Sequence, residues 1–339
     1  MDIRPPISLI FTVLNEGEHV ARLLDSLLIQ SRQPDEIVVV DGGSTDNTLA
    51  VLERYANRLP LRVLTEPGAN ISRGRNVAIR HAAHDLIAVT DAGVRLEPEW
   101  LERLVGPFES DDPPDFVSGF FLPDPRDLFE HALAMTTLPA QEEMGQGRFL
   151  PSSRSVAFMR DVWARVGGYP EWMTWSEDVL FDLALMRVGA KIAYQADAIV
   201  WFRPRSSLRA FMKQYRNYAY GDGQGLLWPK RHAIRYLTYL LALPLVLILL
   251  KRRAEWGAIF LLLGNALMFW TPIKRHWRSG RYRWRTLPLI PLIRMAGDLA
   301  KMWGFLQALP EGWRNRRRTR AYLEGGVRHV QYVNRVCDS

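Results

Sequence analysis

Five stretches of this 339-residue chain combine residue types that bind or activate oxygen-rich ligands. Leu86-Ile87-Ala88-Val89-Thr90 is an apolar run ending on Asp91, followed by Ala92 and Gly93, which are too small to shield a carboxylate. Thr12-Val13-Leu14-Asn15-Glu16 closes one strand-like run, and Asp41-Gly42-Gly43-Ser44-Thr45-Asp46 closes another. In an open α/β sheet, ligands collect outside the carboxyl ends of the strands, so Glu16, Asp41 and Asp91 are aimed where a ligand sits. Carboxylates there accept hydrogen bonds from a nucleobase and from ribose hydroxyls. Arg73 and Arg75, either side of Gly74, are guanidinium groups that pair bidentately with phosphate oxygens. Glu177-Asp178 places two carboxylates directly behind Ser176 at the start of a helical pattern. Taken singly, each has a plainer reading: a turn aspartate, a solvated helix face, or acidic residues at a helix amino terminus.

The elements that must position these groups follow from periodicity. Ile7–Val13, Glu36–Val40, Leu61–Leu64 and Asp85–Thr90 read as strands, the second so apolar that both its faces must be covered. Between them run helical patterns: one with Val20, Leu23, Leu24, Leu27 and Leu28 apolar, one reaching about Tyr55 and capped by Ser44 or Thr45, and one over Ile71–Ala83. Alternating strand and helix predicts a parallel sheet covered on both faces. Farther on, Glu97–Phe108 and Asp127–Leu138 read as helices and Asp115–Phe121 as a strand. Residues 139–153 read as a mobile loop. A helical turn at Arg160–Val166 and a Gly167-Gly168-Tyr169-Pro170 turn lead to the helix opened by Ser176. Two short strands, Lys191–Tyr194 and Ala198–Phe202, precede a helix over Ser206–Tyr220.

The last third differs. Ile234–Leu250 and Ala254–Ile273 are apolar runs near the ~20 residues that cross a bilayer, separated by Lys251-Arg252-Arg253. They read as a membrane hairpin, spanning or re-entrant, with Trp256, Phe269 and Trp270 near the ends as interfacial aromatics. The flanks are basic, which places both ends in the cytoplasm. Leu287–Leu309 carries Arg294, Asp298 and Lys301 among apolar residues and reads as an interfacial helix.

Much of the net charge of +8 lies after residue 228, including Arg314–Arg320, and marks an anionic surface as partner. No nucleic-acid recognition motif accompanies that charge, so the membrane is the expected partner. An apolar fraction of 48% excludes a disordered chain. Cys337 is the single cysteine, which rules out an internal disulfide and favours a reducing compartment. The amino terminus lacks the pattern of a secretory signal, so the catalytic part is expected in the cytoplasm.

With their spacing, these pieces resemble the family 2 inverting glycosyltransferases of GT-A fold. The matching residues are Thr12-Val13-Leu14-Asn15-Glu16, Val39-Val40-Asp41-Gly42-Gly43-Ser44-Thr45-Asp46, Arg73-Gly74-Arg75-Asn76, Thr90-Asp91-Ala92-Gly93 and Trp175-Ser176-Glu177-Asp178. The resemblance covers about residues 7–225, and Gln214-Tyr215-Arg216-Asn217-Tyr218 is similar to a segment some members carry after the acceptor region. The segment lacks the Arg-Trp of processive synthases.

The resemblance implies an α/β, Rossmann-like, mostly parallel GT-A sheet with a C-terminal membrane-associated helical region. It divides the chain into a catalytic domain over 1–228, with a nucleotide-sugar half to about 95 and an acceptor half from 96, a membrane hairpin and interfacial helix over 229–310, and a basic tail over 311–339. It implies Thr12, Asn15, Glu16, Asp41, Gly42, Arg73, Arg75, Asn76 and Asp91 as donor-binding, and Trp175, Gln214 and Tyr215 as acceptor-binding. Asp178 is where the family places the general base, with Glu177 positioning it or the acceptor. A divalent cation, magnesium or manganese, is the family's cofactor. The family's Asp-X-Asp metal motif is broken here, because Gly93 stands where the second carboxylate belongs and Asp91 alone remains.

The expected activity is transfer of a sugar from a nucleotide-diphosphate sugar to a lipid-linked or cell-surface glycan acceptor at the cytoplasmic face of the inner membrane. The alternatives are a polyprenyl-phosphate glycosyltransferase and a non-catalytic nucleotide-sugar-binding or interaction protein.

Overall fold

Ile7–Val13 (β1), Glu36–Asp41 (β2), Leu61–Thr65 (β3) and Leu86–Val89 (β4) form a four-stranded parallel block, β1 lying between β2 and β4. The computed structural model describes residues 4–144, 150–279 and 283–324. Helices His19–Leu28 (α1), Thr48–Tyr55 (α2) and Ile71–His81 (α3) join these strands. Helix α1 turns Val20, Leu23, Leu24 and Leu27 into the core. Ile37 to Val40 of β2 are buried on both faces, as a run without polar alternation requires.

The sheet continues with Val94–Leu96 (β5), Phe116–Pro123 (β6), Val156–Met159 (β7) and Ile192–Phe202 (β8), in the order β3-β2-β1-β4-β7-β6-β8-β5. The sheet is mostly parallel as expected, and this half brings in antiparallel pairs. Strand β7 pairs antiparallel with β4 and β6, and β5 pairs antiparallel with β8, so the second half of the sheet is mixed. Both β5 and β7 escape periodicity because they are three and four residues long. The two short strands expected after residue 190 are one strand, β8, with a register shift against β6 between Ser118 and Phe120. Gly119 lies at that shift because a Cβ there would stand 2.0 Å from Ser155 Oγ and 2.5 Å from the Ala198 carbonyl oxygen.

The remaining helices are Trp100–Val105 (α4), Leu128–Thr137 (α5), Arg160–Arg165 (α6), Glu177–Arg187 (α7), Leu208–Gln224 (α8), Pro229–Leu237 (α9), Leu243–Arg252 (α10), Ala254–Ser279 (α11), Arg283–Thr286 (α12) and Leu289–Glu324 (α13). A π turn over Thr238–Ala242 joins α9 to α10.

The chain forms two compact units. The first comprises Met1–Asp124, Gln141–Phe202 and Arg317–Ser339 and holds the whole sheet. The last turns of α13 belong to it, with Tyr322 Oη donating to the Gly168 carbonyl at 2.5 Å and Arg318 lying over the Trp172 ring. The second comprises Pro125–Ala140 and Arg203–Arg316. Its core is Ala132, Leu133, Phe211, Ile293 and Ala296.

Within the second unit, Pro229–Arg252 and Ala254–Arg278 are long and apolar enough to cross a membrane. Many of their apolar side chains face outward, Leu262 70%, Leu267 87% and Trp270 68% exposed. Helix α13 buries Ile290, Ile293, Ala296 and Ala300 and exposes Leu292, Met295, Leu299, Trp303 and Leu306 on another face. The expected tail beyond residue 311 is helical to Glu324, and residues 325–339, with Cys337, lie outside the described residues.

Candidate active site

The carboxyl edge of the parallel block carries the first group of site residues, all in the first unit. Asn15 takes the left-handed conformation (φ 54) just past β1. Its side-chain oxygen accepts the Thr45 amide at 2.8 Å, and its own amide donates to Ser44 Oγ at 2.9 Å. Thr48 Oγ1 accepts the Glu16 and Gly17 amides, each at 2.9 Å. The β1 and β2 loops are thus laced together.

Asp41 is fully buried, and its carboxylate accepts the Gly43 and Ser44 amides at 3.0 Å. Asp41, expected as a donor-binding residue, thereby shapes the turn that follows β2. Neither Ser44 nor Thr45 caps α2. Asn47 stands at the N-cap without a side-chain bond, and Asp46 Oδ1 accepts the Thr48 amide at 3.0 Å.

Helix α3 supplies the second group. Its approach to β1 requires glycine at 74, where a Cβ would stand 2.7 Å from Thr12 Cγ2. The flanking arginines consequently part. Arg73 points outward and ion-pairs with Glu66. Arg75 points inward, where its guanidinium is buried. It donates from Nη2 to Asp91 Oδ1 and from Nη1 to Glu177 Oε1, both at 2.9 Å, over the Tyr169 ring at 5.2 Å.

Asn76 bonds to the segment that leads into α7. Its Oδ1 accepts from Trp163 Nε1 and the Tyr169 amide, and its Nδ2 donates to the Tyr169 carbonyl and Glu171 Oε1, at 2.8 to 3.0 Å. Asn70, the α3 N-cap, donates to the Glu171 carbonyl at 2.7 Å. Arg75 and Asn76, both expected as donor-binding residues, make these bonds to the segment leading into α7 and to its first residue.

At the start of α7, Ser176 sits in the left-handed conformation (φ 58) and does not cap through its side chain. Glu177 is buried, whereas Asp178 is half-buried and accepts its neighbour Val179's amide at 2.9 Å. Burial, with the nearby Asp178 charge, pushes the Glu177 carboxyl up to about 7 against the opposing pull of Arg75. One turn on, Asp182 is buried with Oδ2 lacking a hydrogen-bond partner, and burial and Asp178 hold it well above the usual carboxylate range. Burial also drives the Tyr169 phenol upward, although Arg75 opposes it.

Two residues of this cluster escape sequence reasoning. Asp182 is the simpler, since its i,i+4 spacing from Asp178 is legible once α7 is known. Arg154 is the other. The antiparallel register of β4 with β7 pairs Val89 with Val156, which carries Arg154 opposite Asp91. Arg154 Nε lies 3.6 Å from Asp91 Oδ2, its Nη1 donates to Ser152 Oγ at 2.9 Å, and the guanidinium sits over the rings of Phe121 and Phe202. It lies just past the stretch 139–153 read as a loop, and recognising β7 would have found it.

The carboxylates of this site are spread rather than grouped as a set of metal ligands. Asp91 is 36% exposed but shared between two guanidinium groups. A Cβ on Gly93 would meet nothing within 4 Å, so the place of the second carboxylate is open space. Among the described residues no group of three or more metal-ligating side chains occurs. A cation needs more oxygens than Asp91 supplies.

Comparison with known proteins decides the family. The chain matches the profile described as Glycosyl transferase family 2 over residues 8–157, and that of Glycosyl transferase family group 2 over residues 86–296, more than half its length. The chain belongs to the family 2 glycosyltransferases. This glycosyltransferase is 24% identical to the O-antigen chain rhamnosyltransferase RfbN of Salmonella typhimurium over 299 residues, covering 80% of the chain and 90% of RfbN. It is 26% identical to the succinoglycan biosynthesis protein ExoA of Rhizobium meliloti, covering 74% of the chain and 79% of ExoA. Its fold is similar to that of the mannosyltransferase PcManGT of Pyrobaculum calidifontis, solved with GDP-Man and Mn2+, with a TM-score of 0.59, 22% identity and 88% of each chain covered. The expected GT-A architecture is therefore the one this family 2 glycosyltransferase adopts.

Trp175 lies half-buried in the first unit, two residues before Glu177. Gln214 and Tyr215, the other expected acceptor residues, belong to α8 in the second unit. There Gln214 Nε2 donates to Tyr218 Oη at 2.9 Å, and the Tyr215 ring packs on Phe211.

Proposed function

We propose that the enzyme transfers a sugar, with inversion, from a nucleotide-diphosphate sugar to a lipid-linked or cell-surface glycan acceptor at the cytoplasmic face of the inner membrane. The observation that carries this reading is the Arg75 bridge, which joins a strand-end carboxylate, Asp91, to Glu177, the first residue of α7, through one buried guanidinium. Transfer needs a hydroxyl deprotonated on one side of the sugar and a departing diphosphate stabilised on the other.

Asp178 is the general base. It is the only one of the three α7 carboxylates that is neither buried nor tied to Arg75. The fixed charge of Arg75 and the buried Glu177 hold its helix start in place, so Glu177 is a positioning residue. With one base and no second carboxylate assigned as nucleophile, the reaction is a single displacement and inverts the anomeric centre.

On the donor side, the β1 and β2 loops present Thr12, Asn15, Glu16 and Gly42 to the nucleoside. Arg73 and Arg154 offer guanidinium charge to the diphosphate, Arg154 beside Asp91. A divalent cation would find only Asp91 here, and no step is assigned to one. Trp175 is the acceptor contact of the first unit.

The apolar hairpin and the exposed stripe of α13 support membrane attachment, and the basic flanks support a cytoplasmic catalytic unit. The names of RfbN and ExoA support a role in surface polysaccharide synthesis. The test is to incubate the full-length enzyme with a panel of labelled nucleotide sugars and a bacterial membrane-lipid extract. Label passing into the organic-solvent phase with release of nucleoside diphosphate is expected. Label that stays water-soluble with every donor overturns the lipid-linked acceptor.

A further inference from the structure

The second unit holds a cavity of its own, between α5, α8 and α13, of about 40 Å³. That is room for roughly three water-sized groups, about the bulk of a phosphate. Thr137, Tyr215, Arg294, Gly297, Asp298 and Lys301 line it. Lys301 Nζ lies 4.6 Å from the centre of the Tyr215 ring, and among the described residues it forms no hydrogen bond or ion pair. An ammonium group drawn into a cavity without an anionic partner is costly unless an anion joins it.

The neighbouring carboxylates are already shared with other cations. Asp298 accepts from Arg235 Nε at 2.8 Å and from Tyr239 Oη at 3.1 Å, and stands 3.6 Å from Arg294 Nε. One carboxylate thus faces two arginines and a lysine. Asp222 is nearby but pairs with His232 at 3.0 Å. Three cations, Arg235, Arg294 and Lys301, thus stand against the two carboxylates Asp298 and Asp222, and the excess of positive charge suits an anionic group such as a phosphate. Burial, aided by Arg235 and opposed by Asp298, draws the Lys301 ammonium down to about 8.

The setting narrows the source of the phosphate. Arg235 and Tyr239, which hold Asp298, lie on Pro229–Arg252, the first of the two apolar helices. Leu292, Met295 and Leu299 of α13, exposed beside the lining residues in sequence, continue the apolar surface. We propose that this cavity is a phosphate site, walled by Arg294 and Lys301 beneath Tyr215, that seats the headgroup of a phosphorylated membrane lipid. This rests on the reading of a lipid-linked acceptor, and it gives Tyr215 an acceptor role within its own unit.

The test uses the full-length chain in phosphatidylcholine nanodiscs, titrated calorimetrically with a short-chain isoprenyl phosphate, the matching isoprenyl alcohol and inorganic phosphate. The wild type is compared with Lys301→Gln, Lys301→Arg and Arg294→Gln. The ester is expected to saturate the wild type, with affinity lost by about tenfold or more in Lys301→Gln and largely kept in Lys301→Arg. Ester binding much tighter than inorganic phosphate assigns the site to a lipid, and equal binding assigns it to the free ion. Unchanged ester affinity in both Lys301→Gln and Arg294→Gln overturns the site, as does an alcohol that binds like the ester. Nucleotide-sugar turnover in the same nanodiscs is a separate readout: its failure with the titration intact would count against the proposed transfer alone.

Discussion

Arg75 Nη1 lies 2.9 Å from Glu177 Oε1, tying the third helix to the first residue of the helix that carries Asp178. The contact is buried on both sides, 4% and 8% exposed, so neither charge can turn to water when the other is removed. Removing one partner of such a pair costs about 3–5 kcal/mol. Arg75→Ala should therefore lower the urea unfolding free energy by about that amount, and Arg75→Lys by less, because a lysine can still reach one carboxylate. A loss under about 1 kcal/mol in Arg75→Ala would mean the bridge does not organise the site.

Glu177 links this bridge to pH. Its folded value near 7 lies above the ordinary 4.5, so the native state holds the proton more tightly than the unfolded chain does. The stabilising contribution is complete below about 4.5 and disappears as pH rises through about 7. Unfolding midpoints should fall between pH 5 and pH 8, and Glu177→Gln should flatten that part of the curve. An unaltered slope in the variant would place the titration elsewhere.

Gly93 faces open space, which makes the missing carboxylate simple to restore. Gly93→Asp should fold as the wild type does and bind Mn2+ more tightly by about tenfold or more, since a second carboxylate joins Asp91. Electron paramagnetic resonance titration of Mn2+ reads this directly. Equal affinities would show that the Arg75 and Arg154 pairs withhold Asp91 from any cation.

Arg154 is assigned to the diphosphate. Arg154→Gln should weaken nucleoside diphosphate binding by about tenfold, the size of a lost charge-assisted bond, and leave the affinity for the nucleoside alone unchanged. A parallel loss for both ligands would make the residue a packing element beneath Phe121 and Phe202.

The parallel block and its three helices were legible because Ile7–Val13, Glu36–Asp41 and Leu86–Val89 are apolar runs ending in polar turns, the signal periodicity reads best. The mixed half was not. Strand β7 is four residues long and its pairing is non-local, so nothing in its neighbourhood announces that Arg154 lies opposite Asp91. The site residues divide in the same way. Their presence was readable from type and spacing, but their direction was not: Gly74 sends Arg73 outward and Arg75 inward, and only the contact with Thr12 reveals which. Asp41 is bonded into its own turn and Asn76 across to the segment 163–171, partners that sequence spacing does not show, because a buried polar side chain must find partners wherever the fold offers them.

The central claim is that Asp178 removes the proton from the acceptor hydroxyl. The measurement is the initial rate of nucleoside diphosphate release, with the best donor and membrane-lipid acceptor, in the wild type and in Asp178→Asn, beside donor affinity by calorimetry. A general base contributes about 10²–10⁴-fold, so the rate should drop by at least about a hundredfold while donor affinity stays within about threefold. Transfer at the wild-type rate in Asp178→Asn would contradict the account.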